Sequence, residues 1–305
     1  MFARRTGSAY EVLAPAKLNL HLSILCRRDD GFHELETIMA PVSLNDRLAY
    51  SPANGDGAGF RFSCRNVASG LPAPPQGDDN LAYRALLCLA AEAGIPPRGD
   101  FQLEKRIPAA AGLGGGSSDA AAALMLANRV WGIHYPASRL ADMAAALGSD
   151  VPFFLAGGAA VCRGRGEQIT PLPNATSLPV VIVKPNAGVS TPAAFAALNM
   201  PPKTTRPSES LSARLAAAAC AVLAADWGAL STAATNALQN AAERLCPAIA
   251  RIRRAFERLD VPAHCMTGSG SAYFAICRSA RHARRIAALV RAQNLGMVFA
   301  SATCR

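Results

Sequence analysis

Apolar and polar positions alternate over residues 12–24, the period-two signature of a strand with one buried face. Lys17, Asn19 and His21 share a face of that strand, set between Leu18, Leu20 and Leu22. That face either meets solvent or lines a polar cleft. A turn is predicted at 27–33, where Gly31 supplies backbone freedom. Strands are predicted at 34–41, from 44–48 onward and at 60–64, with Gly-, Asp- and Pro-rich loops at 54–59 and 69–79. A helix over 80–93 ends at Gly94, a strand covers 101–107, and a helix spans 138–147 and closes at Gly148. A Pro-rich connector at 170–178 follows. Beyond it come a buried strand (180–183), loops at 185–192 and 201–207, and helices at 211–225, 238–245 and 247–259. A strand at 273–277, a helix at 280–293 and a strand at 298–301 finish the chain. No internal repeat is visible, and the mixture predicts an α+β fold in two domains, 1–168 and 169–305.

One stretch does not serve a core. In Pro108-Ala109-Ala110-Ala111-Gly112-Leu113-Gly114-Gly115-Gly116-Ser117-Ser118, four of the five residues 112–116 are glycine. Each costs backbone entropy and brings no side chain. What they allow is a tight loop whose N–H groups lie bare. Ser117, Ser118 and Asp119 are good N-cap types, and the Ala-rich run behind them favours helix. A bare loop opening onto a helix N-terminus is an anion site, because orphan N–H groups converge and the dipole adds about half a positive charge. The inferred ligand is a phosphate group; a flexible Gly-Ser turn is the other reading. The P-loop pattern fails, since Gly116 stands where Lys is required. The dinucleotide pattern G-x-G-x-x-G fails at Ser117. The H-R-D and D-F-G signatures of protein kinases are absent from the chain.

Half of the 305 residues are apolar, enough for a sizeable core, yet no apolar run reaches the ~18 residues a membrane span needs. Arg4 and Arg5 precede no apolar stretch of signal-peptide length, so a cytoplasmic location is expected. Nine cysteines, an odd number without a C-x-x-C pair, predict neither a disulfide framework nor a metal site. Cys88, Cys220 and Cys277 read as small buried thiols. The net charge of +10 is uneven: residues 1–168 hold 16 basic and 16 acidic side chains, leaving 15 and 5 in the rest. Arg251, Arg254 and Arg258 follow helical spacing among Ile252, Phe256 and Leu259. Three readings stand open there: a solvated helix face, attraction of an anionic small substrate, and nucleic-acid binding.

Phosphoryl transfer needs a phosphate cradle, charge neutralisation and a positioned base. Asp150 is a candidate base, though Asp before Val-Pro is also a good N-cap. Lys17 could orient or acidify an acceptor hydroxyl beside such a carboxylate.

The glycine loop resembles the central motif of the GHMP kinases. Pro15-Ala16-Lys17-Leu18-Asn19-Leu20, Asp30-Gly31-Phe32-His33-Glu34-Leu35, Gly148-Ser149-Asp150-Val151-Pro152-Phe153-Phe154 and Met266-Thr267-Gly268-Ser269-Gly270 are similar, in order, to motifs of one branch of that family. Members of that branch use ATP to phosphorylate a hydroxyl of a cytidine diphosphate-linked polyol in isoprenoid precursor synthesis. The resemblance implies a two-domain GHMP kinase fold with both substrates in a cleft between a ribosomal protein S5 domain 2-like N-terminal domain and a C-terminal α/β layer. It implies Asp150 as base with Lys17 as its partner, and 108–118 as the ATP phosphate loop, with Asn80 and Lys105 near the nucleotide. Asn19 and His33 would read the cytosine edge, with Phe32 and Phe195 stacking on it; Gly268 and Ser269 belong to the third family motif. ATP and Mg2+ are the expected cofactors. A small-molecule substrate, no nucleic acid, no membrane and a monomer or weak homodimer are the expected partner state. The family usually has Tyr at position 32; Phe keeps the ring but loses the hydroxyl.

Overall fold

A computed structural model describes residues 1, 3–7, 9–52, 59–67, 70, 72–198 and 209–304. The 201–207 loop expected from sequence lies outside them. The chain forms two compact units. The first comprises 1–16, 44–109 and 114–157; the second comprises 17–43, 110–113 and 158–305. The expected boundary at 168/169 would make consecutive domains. Contacts divide the chain otherwise, because residues 35–39 pair in register with 164–160 and draw the 17–43 hairpin into the second unit.

In the first unit, β1 (Ala3–Thr6) pairs antiparallel with the start of β2 (Ala9–Arg27). The end of β3 (His33–Ser51) pairs antiparallel with β5 (Gly99–Lys105), which runs parallel to β4 (Phe60–Asn66). A parallel pair needs a crossover, and α1 (Leu81–Glu92) lies within it. Helix α2 (Gly115–Val130) is Ala-rich and buries Ala120–Ala123, Leu124 and Leu126. Small side chains let α1 and α3 (Ala137–Leu147) pack closely on it, and α4 (Val151–Ala156) follows.

Two separate strands were expected over 34–48, yet β3 runs through 19 residues. Pro41 falls between the residues paired with β6 (Ala160–Gly164) and those paired with β5, so neither ladder needs its missing N–H.

In the second unit β7 (Gln168–Pro171) extends β6. A separate four-stranded antiparallel sheet has the order β11 (Met297–Ala302), β8 (Pro179–Lys184), β10 (Tyr273–Ile276) and β9 (Ala263–Met266). Its core joins Val181, Val183 and Tyr273 to Ile249, Ile252 and Phe256 of α9 (Pro247–Glu257) and to Ile286 and Val290 of α10 (Ala280–Arg291). Arg251, Arg254 and Arg258 lie exposed on the far side. The remaining helices are α5 (Thr191–Ala196), α6 (Glu209–Ala224), α7 (Trp227–Ala233) and α8 (Gln239–Leu245). Cys277 is buried, and burial pushes its thiol up to about 12, whereas Cys88 is half-buried. Cys220 corrects the expectation of a buried thiol: it sits on the exposed face of α6. Among the described residues no helix is long and apolar enough to cross a membrane.

Candidate functional site

In the first unit β5 runs directly towards the glycine loop and α2 leaves it. Helix α2 starts at Gly115 rather than at a serine. Gly114, with φ +69°, takes the N-cap place and no side chain caps the helix. Ser117 and Ser118 therefore sit inside the first turn, and Asp119 follows directly after it. Gly116 is exposed, Ser117 half-buried and Ser118 fully buried. Among the described residues Ser118 Oγ has no hydrogen-bond partner, although it is shut away from solvent. An orphan hydroxyl beside uncapped helix N–H groups is where an anion would be held.

Lys105, at the end of β5, donates to Asp46 on β3 and to Asp119 on α2, and its ammonium lies beside Gly115. Burial alone would lower the Lys105 pKa, but the two carboxylates outweigh it and raise it. Burial raises the Asp119 carboxyl well above the usual range, with Asp46 adding to it and Lys105 opposing. Asp46 was not singled out from sequence, because it meets Lys105 across 59 positions of chain, and Asp119 was read there only as an N-cap type.

Asn80 is buried and caps α1, accepting from Ala82 N at 3.0 Å and donating to Pro75 O. Asp150 stands at the N-cap place of α4 and makes no side-chain cap bond, so the capping alternative does not hold. It is partly buried.

In the second unit Lys17, Asn19 and His21 are 4, 4 and 3 % exposed, which removes the solvated-face reading. Their polar groups are paired instead. Lys17 Nζ donates to Asn19 Oδ1. Asn19 Nδ2 donates to Thr37 Oγ1 at 2.9 Å, and Thr37 donates to His21 O. The His21 ring sits within hydrogen-bond distance of Ala233 O and Ser23 Oγ.

Loop residues 110–113 pack within this unit. Lys17 N donates to Leu113 O and Ala272 N to Ala111 O. A Cβ on Gly112 would stand 2.2 Å from Thr267 O, so only glycine fits there. Gly268 abuts Gly112 in return. Asn19 N donates to Thr267 Oγ1 at 2.9 Å beside this approach. Asn236, absent from the sequence reading, donates from its Nδ2 to both Met266 O and Gly268 O and so holds the turn. Ser269 Oγ lies 2.7 Å from Thr191 Oγ1 at the start of α5.

Phe32 is 49 % exposed, and the Arg165 guanidinium lies over its ring, 4.6 Å from the centroid. The Phe195 ring neighbours His33, with centroids 4.7 Å apart. Burial, with Arg27 adding to it, lowers the His33 pKa below the ordinary value.

Comparison with known proteins places these features in context. The pattern described as GHMP kinases N terminal domain matches residues 80–158, and that described as GHMP kinases C terminal matches 216–294. A 4-diphosphocytidyl-2-C-methyl-D-erythritol kinase of Thermus thermophilus is 41 % identical over 283 residues, covering 92 % of this chain and 93 % of that one. A crystal structure of 4-(cytidine 5'-diphospho)-2C-methyl-D-erythritol kinase superimposes with TM-score 0.78 and 36 % identity, covering 97 % of this chain and all of that one. Homoserine kinase from Cytophaga hutchinsonii, with TM-score 0.73 and 20 % identity over 99 % of this chain and 97 % of that one, shares the fold.

Proposed function

The chain belongs to the 4-diphosphocytidyl-2-C-methyl-D-erythritol kinases of the GHMP kinase family, and from that premise we propose that it transfers the γ-phosphoryl group of ATP to the 2-hydroxyl of 4-diphosphocytidyl-2-C-methyl-D-erythritol. The observation that carries this reading is the identity of 41 % sustained over 92 % of the chain. Asp150 accepts the proton of the acceptor hydroxyl, and Lys17 steadies the developing alkoxide. The burial of Lys17 and its bond to Asn19 support that role, because a held ammonium needs little reorganisation. The N–H groups at the start of α2 cradle the ATP phosphates.

A magnesium ion, when bound, neutralises phosphate charge. The orphaned Ser118 Oγ fits such an ion or a phosphate oxygen as a ligand. On the acceptor side, Phe32 offers a ring face to cytosine, and His33 and Asn19 offer hydrogen bonds to its edge.

The test is ADP release with three acceptors supplied separately: the cytidyl polyol, mevalonate and homoserine. Turnover with the first alone supports the reading. Turnover with either of the others, and none with the first, overturns it.

A further inference from the structure

The phosphate loop is bounded on both sides by residues tied to one carboxylate. Asp46 is fully buried in β3. Its Oδ1 accepts from the backbone N–H groups of Arg106 and Ile107, and its Oδ2 accepts from Lys105 Nζ. Three consecutive residues, the last three before Pro108, are thus fastened to a single side chain. Lys105 passes the connection on to Asp119, which follows the first turn of α2 beyond the loop's far end. Both flanks of the loop are therefore anchored by charge-assisted hydrogen bonds, roughly twice as strong as neutral ones. A buried carboxylate is costly unless its lone pairs are filled. Asp46 fills them with donors on the one segment that must hold its course for the loop to present bare N–H groups. A hydrophobic side chain would fill the same space at lower cost if packing were its whole task.

We propose that Asp46 is a positioning residue for the nucleotide phosphates, acting through the Arg106 and Ile107 amides and the Lys105–Asp119 bridge. The inference rests on the reading of 108–118 as the ATP phosphate loop. It does not depend on which acceptor is phosphorylated.

The experiment compares Asp46→Ala and Asp46→Asn with the unaltered full chain. It reads ADP affinity by calorimetry, KM for ATP and for the cytidyl polyol, and the thermal midpoint. Asp46→Ala strands three donors, so ADP affinity should fall and KM for ATP rise by about tenfold or more, while KM for the acceptor stays within about twofold. Asp46→Asn keeps an oxygen for the two amides and should recover most of the loss, leaving about a threefold deficit. Equal rises in both KM values, or a lower midpoint with ADP affinity unchanged, overturn the proposal and leave Asp46 a packing residue. Should the alanine variant not fold, the asparagine variant decides: ADP affinity equal to that of the unaltered chain overturns it. If the unaltered chain binds ADP yet ignores the cytidyl polyol, the substrate reading fails while these affinities still judge Asp46. Absence of ADP binding by the unaltered chain overturns both.

Discussion

Asp150 illustrates how a residue's environment selects among the roles its type allows. An aspartate before Val-Pro has the composition of a helix cap, yet it caps nothing in α4. Removing a general base while keeping its shape costs typically 10²–10⁴-fold. Asp150→Asn should lower kcat by that order with KM values little changed, measured by ADP release; a fully active variant would refute the base assignment. His33 carries a second residue-scale consequence. Its folded pKa lies below the ordinary value near 6.5, so the ring is neutral at pH 7 and keeps one acceptor nitrogen. Neutrality is the favoured form in the folded state. This contribution is present above the unfolded pKa and is lost as pH falls through the folded one. Affinity for a cytidine nucleotide should be flat from pH 7 to 8 and fall only as the pH drops through the lowered folded-state pKa of His33; a rise on acidification, read by calorimetry, would show that the protonated ring binds. Of these properties, the aspartate and histidine themselves were legible in the motifs. The absence of a cap and the burial of His33 against Phe195 were not, since both depend on neighbours remote in sequence.

At the scale of elements, the glycine loop shows which of its glycines the fold itself requires. Gly112 has φ +72° and no room for a Cβ, because Thr267 O would stand 2.2 Å away. Gly116, on the first turn of α2, would meet only Leu81 Cδ1 at 3.6 Å. Gly112→Ala should cost roughly 2–5 kcal/mol through strain and overlap. Gly116→Ala should leave stability unchanged or higher, because alanine favours helix. Urea unfolding of the two variants checks the contrast; equal losses would mean that the close approach to Thr267 is not what demands glycine. The loop and the helix behind it were legible as elements, since both signals are local. The single run of β3 was not, because Pro41 argues for a break and only the position of the partner strands makes it harmless.

For the molecule as a whole, the excess of basic side chains in residues 169–305 fits the attraction of anionic substrates, one of the three readings left open by the sequence. Both proposed substrates are polyanions, and a net charge of +10 raises their concentration near the surface. Arg251, Arg254 and Arg258 stand exposed opposite the buried Ile252 and Phe256, as an amphipathic helix places them. Raising ionic strength from about 0.02 to 0.5 M shortens the Debye length from roughly 20 to 4 Å. It should lower kcat/KM for ATP and for the cytidyl polyol several-fold with kcat little changed. Salt-independent kcat/KM would deny the charge any steering role.

What the sequence by itself determined is local: the glycine loop, the helix it opens, the amphipathic helices of the second half and the ordered motifs that mark the family. Those signals reside in spacing and in backbone preference, which act between near neighbours. The tertiary structure alone decided that the Lys17–Asn19–His21 face is buried and paired, that Asp46 grips the strand before the loop, and that Asn236 holds the Met266–Gly268 turn. Each of these joins residues far apart along the chain, and burial of a polar group is tolerable only where the fold brings it a partner.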